Sequence, residues 1–129
     1  MADLFISYAG ADRSRVALLA SALTAEGFSV WWDEATAAGA DYGAEAAAAL
    51  AAAKAVLVVW SKDSIDHAWT VDAAAAGRDR GVLVQLQLDA TLPPLGFRQL
   101  DAINLVQWSG EVTAPAFQAL RDRLRRMTD

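Results

Sequence analysis

The third apolar run of the chain constrains its fold more than any other feature. Residues 55–60 (AVLVVW) are apolar at six consecutive positions. A strand with one face in water alternates apolar and polar residues, whereas a strand covered on both faces is apolar throughout. The run therefore predicts a central strand of a parallel sheet that carries helices on both faces.

Strand-like and helix-like segments alternate along the whole chain. The predicted strands are 4–6, 28–32, 54–60, 82–88 and 103–108; the predicted helices are 13–26, 44–53, 64 or 66 to 80, and 114–127. Such alternation requires right-handed crossovers between parallel strands. Because the first crossover and the later ones must lie on opposite sides of the first strand, the predicted strand order is 2-1-3-4-5. The predicted architecture is α/β, a flavodoxin-like three-layer fold.

Single side chains add local predictions to this scheme. Asp12 is the predicted N-cap of the first helix, and Gly27 suits the position just beyond its end. Gln85 and Gln87 interrupt the fourth strand, which predicts a partly exposed face there. Residues 89–101 contain two prolines and a glycine, and they predict a loop.

The composition predicts one domain over residues 1–129, long enough to bury a core without disulfides, and the chain has no cysteine. The net charge of −5 argues against a nucleic-acid partner. No apolar run is long enough for a bilayer and no signal peptide is recognised, so we expect a cytoplasmic location without membrane contact. The one histidine, His67, lacks further metal-ligand partners in sequence, so neither a metal nor a cofactor is expected.

Ligands of doubly wound parallel sheets bind beyond the carboxyl ends of the strands, where the strand order reverses. The sequence places polar and aromatic residues there after each of the first three strands. These candidates are Ser7, Tyr8 and Ala9, then Trp32 and Asp33, and finally Ser61.

Four segments, in order, resemble those of bacterial TIR (Toll/interleukin-1 receptor) domains. Residues 3–8 (DLFISY) with 11–13 (ADR) resemble the first box, and 27–33 (GFSVWWD) resemble the second strand and the opening of the BB loop. Residues 56–61 (VLVVWS) resemble the third strand with its terminal serine. Residues 93–100 (PPLGFRQL), followed by Trp108, resemble the tail of many bacterial members. The resemblance covers essentially the whole chain and implies a TIR domain excised from a longer multidomain protein.

The resemblance implies an NAD+ glycohydrolase of a bacterial immune, defence or toxin effector, activated by self-assembly. Such an enzyme cleaves the nicotinamide–ribose bond, with or without cyclisation of ADP-ribose, so NAD+ is a substrate and not a cofactor. A carboxylate stabilises the oxocarbenium charge that develops on the ribose. In enzymatic members this glutamate follows a tryptophan by four residues. Here Trp69 is followed by Ala73, which has no carboxylate.

We therefore predict that the chain as written is catalytically inactive. Ala73 marks either a natural pseudoenzyme or a replaced glutamate, and we expect the replacement. A glutamate at position 73 is expected to project beside the Trp69 indole into the cleft. Asp72 is one residue away, rotated by about 100° around the helix, and is a poor substitute.

The substrate-binding positions that the resemblance implies are Ser7, Tyr8, Ala9, Trp32, Asp33, Gly39, Tyr42 and Ser61. The resemblance also implies self-association with other TIR domains through the BB loop, from Asp33 to Gly43, and a fused sensor domain outside this chain. Ala38 stands where that loop usually carries a proline.

Two other functions are compatible with the fold. A non-catalytic TIR adaptor, which associates with other TIR domains, suits Ala73 directly. A flavodoxin-like receiver domain would need a phosphoacceptor aspartate after the third strand, where Ser61 and Lys62 stand instead.

Overall fold

The structure is a computed structural model that describes residues 3–32 and 42–128. Strands and helices alternate through these residues, as the sequence predicts. The strands are β1 (Leu4–Ser7), β2 (Val30–Trp31), β3 (Ala55–Trp60), β4 (Leu83–Gln87) and β5 (Ala102–Asn104). The helices are α1 (Arg13–Ala25), α2 (Tyr42–Ala52), α3 (Ala68–Arg80) and α4 (Pro115–Thr128), and one 3-10 turn (Gly10–Asp12) precedes α1.

The five strands form one sheet in the order β2-β1-β3-β4-β5, with every neighbouring pair parallel. The predicted order and the parallel arrangement are confirmed. The carboxyl ends of all strands consequently lie at one edge, and the strand order reverses between β1 and β3.

The sheet separates two apolar clusters. Alternate residues of β3 point to opposite faces, so that Leu57 and Val59 meet α1 and α4 while Val58 and Trp60 meet α3. All six residues of β3 are buried, which agrees with a strand covered on both faces. The reading of this run as a central strand is thus confirmed.

Two helices end at glycines with positive φ. Gly27 follows α1 with φ +98°, and Gly81 follows α3 with φ +74°. A left-handed residue lets the chain leave the helix while its last carbonyls keep partners, and glycine adopts it without a Cβ clash. The predicted ends of these helices are correct to within one residue.

The prediction of a partly exposed face on the fourth strand is wrong for Gln85, whereas Gln87 is half-buried. The Gln85 side chain is 1% exposed and lies between β3 and the loop at 89–101. The Trp60 indole N–H donates to Gln85 Oε1 at 2.8 Å, and Gln85 Nε2 donates to the Phe97 carbonyl at 3.1 Å. The glutamine is therefore a buried bridge that fixes the loop to the sheet.

Helix α3 begins later than predicted. It starts at Ala68 rather than after Ser64 or Asp66, because the Ser64 hydroxyl donates to the Val59 carbonyl at 2.6 Å and accepts from the Ser61 N–H at 2.8 Å. These bonds close a turn at the end of β3 and leave no hydroxyl to cap the helix. β5 is also shorter than predicted and ends at Asn104.

Candidate functional site

The candidate site lies at the edge where β1, β2 and β3 end. The structure brings the described candidate residues to this edge but divides them between the two faces of the sheet. Asp33 and Gly39, and the BB loop from Asp33 up to residue 41, lie outside the described residues. Tyr42 begins α2, and its side chain is also outside the description.

Tyr8 and Trp32 lie on the α1 side of this edge. Their rings are 6.2 Å apart, and the Tyr8 hydroxyl donates to the Trp32 carbonyl at 3.2 Å. Arg13, at the start of α1, places its guanidinium carbon 5.4 Å from the Trp32 ring centroid and donates to the Tyr8 hydroxyl at 3.3 Å. The cation–π contact and the two hydrogen bonds together fix the positions of Arg13, Tyr8 and Trp32. Arg13 belongs to the segment that resembles the first box, but the sequence analysis assigned it no role.

Ser61 is tied to Asp12 at the point where the strand order reverses. The Ser61 hydroxyl donates to Asp12 Oδ2 at 2.5 Å and accepts from the Asp63 N–H at 3.2 Å. Ser61 is 2% exposed. Asp12 precedes α1 as predicted, but its carboxylate makes no capping hydrogen bond to that helix. It joins the first box to the end of β3 instead.

Ser7 differs from its neighbours because its hydroxyl has no hydrogen-bond partner. It is 1% exposed, and its Oγ is the buried side-chain atom left unsatisfied among the described residues. In register it lies beside Val58, so its side chain is on the α3 face of the sheet. A buried hydroxyl without a partner costs about 1–3 kcal/mol. Its neighbour Ala9 is buried at the start of the turn that leads to α1.

Ala73 belongs to the face of α3 that packs on the sheet. The buried residues of this helix recur at helical spacing and are Thr70, Ala73, Ala74 and Gly77. Ala73 is 1% exposed and lies in the cluster that contains Phe5, Val58 and Trp60. Trp69, one turn earlier, is half-buried against the same cluster. The Ala73 methyl is thus part of the core.

A separate cleft of about 790 Å³ lies at the carboxyl ends of β4 and β5 beside the start of α4. Trp108 forms part of its wall, stacks on Phe117 at 5.4 Å, and donates its indole N–H to the Glu111 carbonyl at 2.8 Å. The cleft also carries the carboxylates of Asp89 and Glu111. No sequence motif pointed to this cleft, because its residues come from three separate segments.

The surroundings of Asp89 favour the ionised form of its carboxyl group. Burial disfavours the charged carboxylate, but hydrogen bonds from the Lys62 N–H and from the hydroxyl and N–H of Thr91 outweigh that effect. The pKa of Asp89 consequently lies below its ordinary value. The Lys62 backbone nitrogen lies 2.9 Å from Asp89 Oδ2, and the Thr91 backbone nitrogen lies 2.9 Å from Asp89 Oδ1.

Arg15 is a second residue that the sequence did not single out. It projects from α1 and donates to the Leu88 carbonyl at 2.6 Å and to the Leu105 carbonyl at 2.7 Å. A further bond reaches the Val106 carbonyl at 3.2 Å. One guanidinium thereby holds together the chain segments that leave β4 and β5, and its planar fork of donors suits this task.

The family of the chain follows from a match to the family model described as TIR domain, which extends over residues 4–122. The chain belongs to the TIR domain family. The match includes β1 to β5 and most of α4, so the resemblance drawn from the four sequence segments is confirmed at the level of the family. A comparison with curated protein sequences found no significant match.

Solved TIR structures share the fold at low sequence identity. The TIR domain of the Toll-related receptor TRR-2 from Hydra magnipapillata is 17% identical, with a TM-score of 0.83 over 97% of this chain and 99% of that one. Two structures of a metazoan TIR-STING receptor from C. gigas, one with 2′,3′-cGAMP, are 20% and 19% identical, with TM-scores of 0.74 and 0.73. Both cover 100% of this chain, which spans only 40% and 41% of theirs.

Within residues 3–32 and 42–128, no helix is both long enough and apolar enough to cross a bilayer. Over the same residues, no three histidines, cysteines or acidic residues are grouped as a metal ion would require.

Proposed function

We propose that this TIR domain acts as an interaction module that associates with other TIR domains and does not itself cleave NAD+. The observation that carries the proposal is the position of Ala73. The resemblance assigns the catalytic glutamate to this position, and here a methyl group, 1% exposed, packs in the apolar cluster under α3. A methyl group cannot stabilise the positive charge that develops on the ribose.

The neighbouring acidic side chains are poorly placed to replace that glutamate. Asp72 is exposed and lies outside the sheet-facing stripe of α3. Asp12 is closer to the strand ends, but one of its carboxylate oxygens already accepts the Ser61 hydroxyl at 2.5 Å. The loss of a group that stabilises transition-state charge lowers a rate by about 10²–10³-fold. These placements support a domain that works by binding.

A second candidate function is NAD+ cleavage by a form of the domain with glutamate at position 73. The unpartnered hydroxyl of Ser7 favours it, since that hydroxyl is buried on the same sheet face as Ala73. A buried donor without an acceptor suits a site whose acceptor, a carboxylate or a ribose oxygen, is missing. In this candidate Trp69, Tyr8, Ala9, Trp32 and Ser61 border the NAD+ pocket.

The experiment compares nicotinamide release from NAD+ by the unmodified chain, Ala73→Glu and Ala73→Gln. The glutamine variant has the size of the glutamate without its charge and serves as the matched control. The proposal expects no turnover above background for the unmodified chain and for Ala73→Gln. Turnover by Ala73→Glu alone would support the second candidate for the glutamate-bearing form, while turnover by the unmodified chain would refute the proposal.

Association is measured separately by sedimentation velocity over a series of protein concentrations. The proposal expects the weight-average sedimentation coefficient of the unmodified chain to rise with concentration. A coefficient that stays at the monomer value throughout would contradict the proposed role in self-association, whatever the outcome of the NAD+ assay.

The biological setting that we propose is a cytoplasmic bacterial defence or toxin protein in which the TIR domain is fused to a sensor. The C. gigas receptor supports the idea of a fusion, because this chain spans 40% of it. In this setting the BB loop, from Asp33 to Gly43, contributes to contacts between TIR domains.

A further inference from the structure

The hydroxyl of Ser7 is a buried donor in apolar surroundings. Ser7 follows Phe5 by two residues along β1, so both side chains lie on the sheet face that α3 covers. Ser7 Oγ has no hydrogen-bond partner, and the residue is 1% exposed. The Trp60 indole on this face already donates to Gln85 at 2.8 Å. Because buried hydroxyl groups are nearly always hydrogen-bonded, this exception calls for a physical reason.

Close packing of α3 on β3 shows which helix residue lies above this part of the sheet. A Cβ atom at Gly77 would lie only 2.9 Å from Val56 Cβ. α3 connects the parallel strands β3 and β4, so it runs antiparallel to both. Ala73 comes four residues before Gly77, about 6 Å toward the carboxyl ends of the strands. Val58 comes two residues after Val56, about 6.6 Å in the same direction. Ala73 therefore lies over Val58.

Ser7 is the neighbour of Val58 in the sheet. β1 and β3 pair in parallel with Ser7 beside Val58, and adjacent strands are about 4.8 Å apart. α3 also lies against β1, with Cα atoms of the two elements within 8 Å of one another. Ala73, which is 1% exposed and belongs to the same cluster as Val58, hence lies diagonally above the Ser7 hydroxyl. Its methyl group cannot accept a hydrogen bond, which accounts for the unsatisfied donor.

A longer side chain at position 73 extends toward the Ser7 hydroxyl. Long side chains of a helix point back toward its N-terminus, and the N-terminus of α3 lies at the carboxyl ends of the strands. Ser7 is the last residue of β1 and lies at this same edge. Glutamate and glutamine are two carbons longer than alanine and end in an oxygen that accepts a hydrogen bond. Either side chain can therefore supply the acceptor that the methyl group does not.

We infer that Ser7 and position 73 form one buried polar pair, in which the Ser7 hydroxyl donates to a terminal oxygen of the side chain at 73. The methyl group of Ala73 leaves this pair incomplete. The acceptor is a side chain of the chain itself and not an oxygen of a bound molecule. The inference rests on the second candidate function, with glutamate at position 73, and adds Ser7 to it as the positioning residue of the carboxylate. Its test does not need NAD+ turnover.

The pair also affects the protonation of a carboxyl group at position 73. Burial disfavours a charged carboxylate and raises its pKa, whereas a hydroxyl that donates to the carboxylate lowers the pKa. Loss of the Ser7 hydroxyl should therefore raise the pKa of that carboxyl group. A role of Ser7 in packing alone would not change this pKa in the same way.

The test combines Ser7→Ala with Ala73→Gln, Ala73→Glu and Ala73→Met and measures thermal unfolding. Glutamine and methionine have similar sizes, but only glutamine ends in a strong hydrogen-bond acceptor, so Ala73→Met is the matched control. In the unmodified chain and in Ala73→Met, Ser7→Ala removes an unpartnered hydroxyl and should raise the Tm by about 3 °C. In Ala73→Gln and Ala73→Glu it breaks the pair and should lower the Tm by about 3 °C or more.

A second measurement follows the introduced carboxyl group of Ala73→Glu by carbon-13 NMR of labelled glutamate. The unmodified chain identifies the added resonance by its absence. Ser7→Ala should move the titration of this resonance to higher pH. Asp72→Gln, at the exposed neighbouring position of α3, controls for position, and its effect on the Tm should add to that of Ser7→Ala.

Three outcomes would overturn the inference. The first is an effect of Ser7→Ala that has the same sign whichever residue occupies position 73, because the hydroxyl would then be indifferent to that side chain. The second is a titration in Ala73→Glu that Ser7→Ala leaves unchanged. The third is that Ala73→Gln and Ala73→Glu both fail to fold, since position 73 would then lack either the space or the donor for a polar side chain.

These outcomes are distinguishable from failure of the proposed function. Nicotinamide release by the unmodified chain, which decides whether the domain cleaves NAD+, does not depend on the pairing of Ser7. A polar pair in Ala73→Glu without any nicotinamide release would support the inference and count against the second candidate function.

Discussion

Replacement of Gln85 by leucine tests whether the buried amide holds the loop at 89–101 on the sheet. Gln85 accepts from the Trp60 indole at 2.8 Å and donates to the carbonyls of Phe97, Leu100 and Asp101 at 3.1, 3.3 and 3.4 Å. Leucine has nearly the same size but can make none of these bonds. The substitution therefore removes polar partners without opening a large cavity.

The expected cost depends on which partners stay buried. Trp60 is 0% exposed and Phe97 is 3% exposed, so the indole N–H and the Phe97 carbonyl lose their partner away from water. Each such group costs about 1–3 kcal/mol. The carbonyls of Leu100 and Asp101 belong to exposed residues and can bind water. After about 1 kcal/mol is regained from apolar burial, we expect a loss of about 3 kcal/mol, or roughly 10 °C in Tm.

The assay is urea denaturation followed by tryptophan fluorescence, with Gln87→Leu as the matched control. Gln87 lies two residues further along β4, is half-buried, and makes one bond, to the Thr91 carbonyl at 3.2 Å. Its replacement should cost less than about 1 kcal/mol. If Gln85→Leu and Gln87→Leu were equally stable within 0.5 kcal/mol, roughly the usual error of such comparisons, the structural role assigned to Gln85 would be wrong.

Three further substitutions probe other parts of the account. Arg15→Met should lower the free energy of unfolding by about 2 kcal/mol, because the chain loses the guanidinium that bridges the ends of β4 and β5, and unchanged urea denaturation would contradict this. Gly77→Ala places a methyl group 2.9 Å from Val56 Cβ. The steric cost of this overpacking, about 1–3 kcal/mol, should exceed the stabilisation of about 1 kcal/mol that alanine gives a helix relative to glycine. Its Tm should fall, Val56→Ala should restore part of the loss, and a higher Tm would refute the reasoning. The pKa of Asp89 is lower in the folded state than in the unfolded chain. The charged carboxylate therefore adds its full share to the free energy of unfolding above about pH 4, and this share is lost as the pH falls through the folded pKa. Asp89→Asn should therefore be less stable than the unmodified chain at neutral pH and converge with it in acid, and parallel stability curves would contradict that assignment.

The layers and topology could be predicted from the sequence because they depend on patterns that local chemistry determines. The apolar run at 55–60 required a strand buried on both faces, and Gly81 marked the end of α3. The order of the strands followed from the handedness of crossovers. These predictions do not depend on which side chains contact one another.

The predictions that were wrong or missing concern contacts between residues that the sequence alone does not bring together. Gln85 reads as an interruption of a strand until the loop at 89–101 returns and offers carbonyls to it. Ser64 reads as a helix cap, yet its hydroxyl bonds within the turn after β3. Arg15 reads as an ordinary surface residue of α1 because its acceptors lie 73 and 90 residues away. A single sequence contains no signal for such pairings.

The candidate site, too, could be predicted from the sequence only in part. The edge of the sheet and the residues Ser7, Tyr8 and Ser61 could be placed from strand ends alone. The sequence could not show that Tyr8 faces α1 while Ser7 faces α3, or that the Ser7 hydroxyl has no partner. The expectation that a glutamate at position 73 would project into the cleft stays a prediction, and the structure adds that the present methyl group is in the core.

Nicotinamide release from NAD+ by the purified, unmodified chain tests the central claim most directly. The measurement should extend to the highest protein concentration at which the chain associates, so that assembly cannot be the missing condition. We predict a rate equal to that of buffer, because position 73 carries a methyl group buried in the apolar cluster. Release that is proportional to chain concentration, and that disappears in Asp12→Asn, would contradict it and identify a carboxylate that substitutes for the absent glutamate.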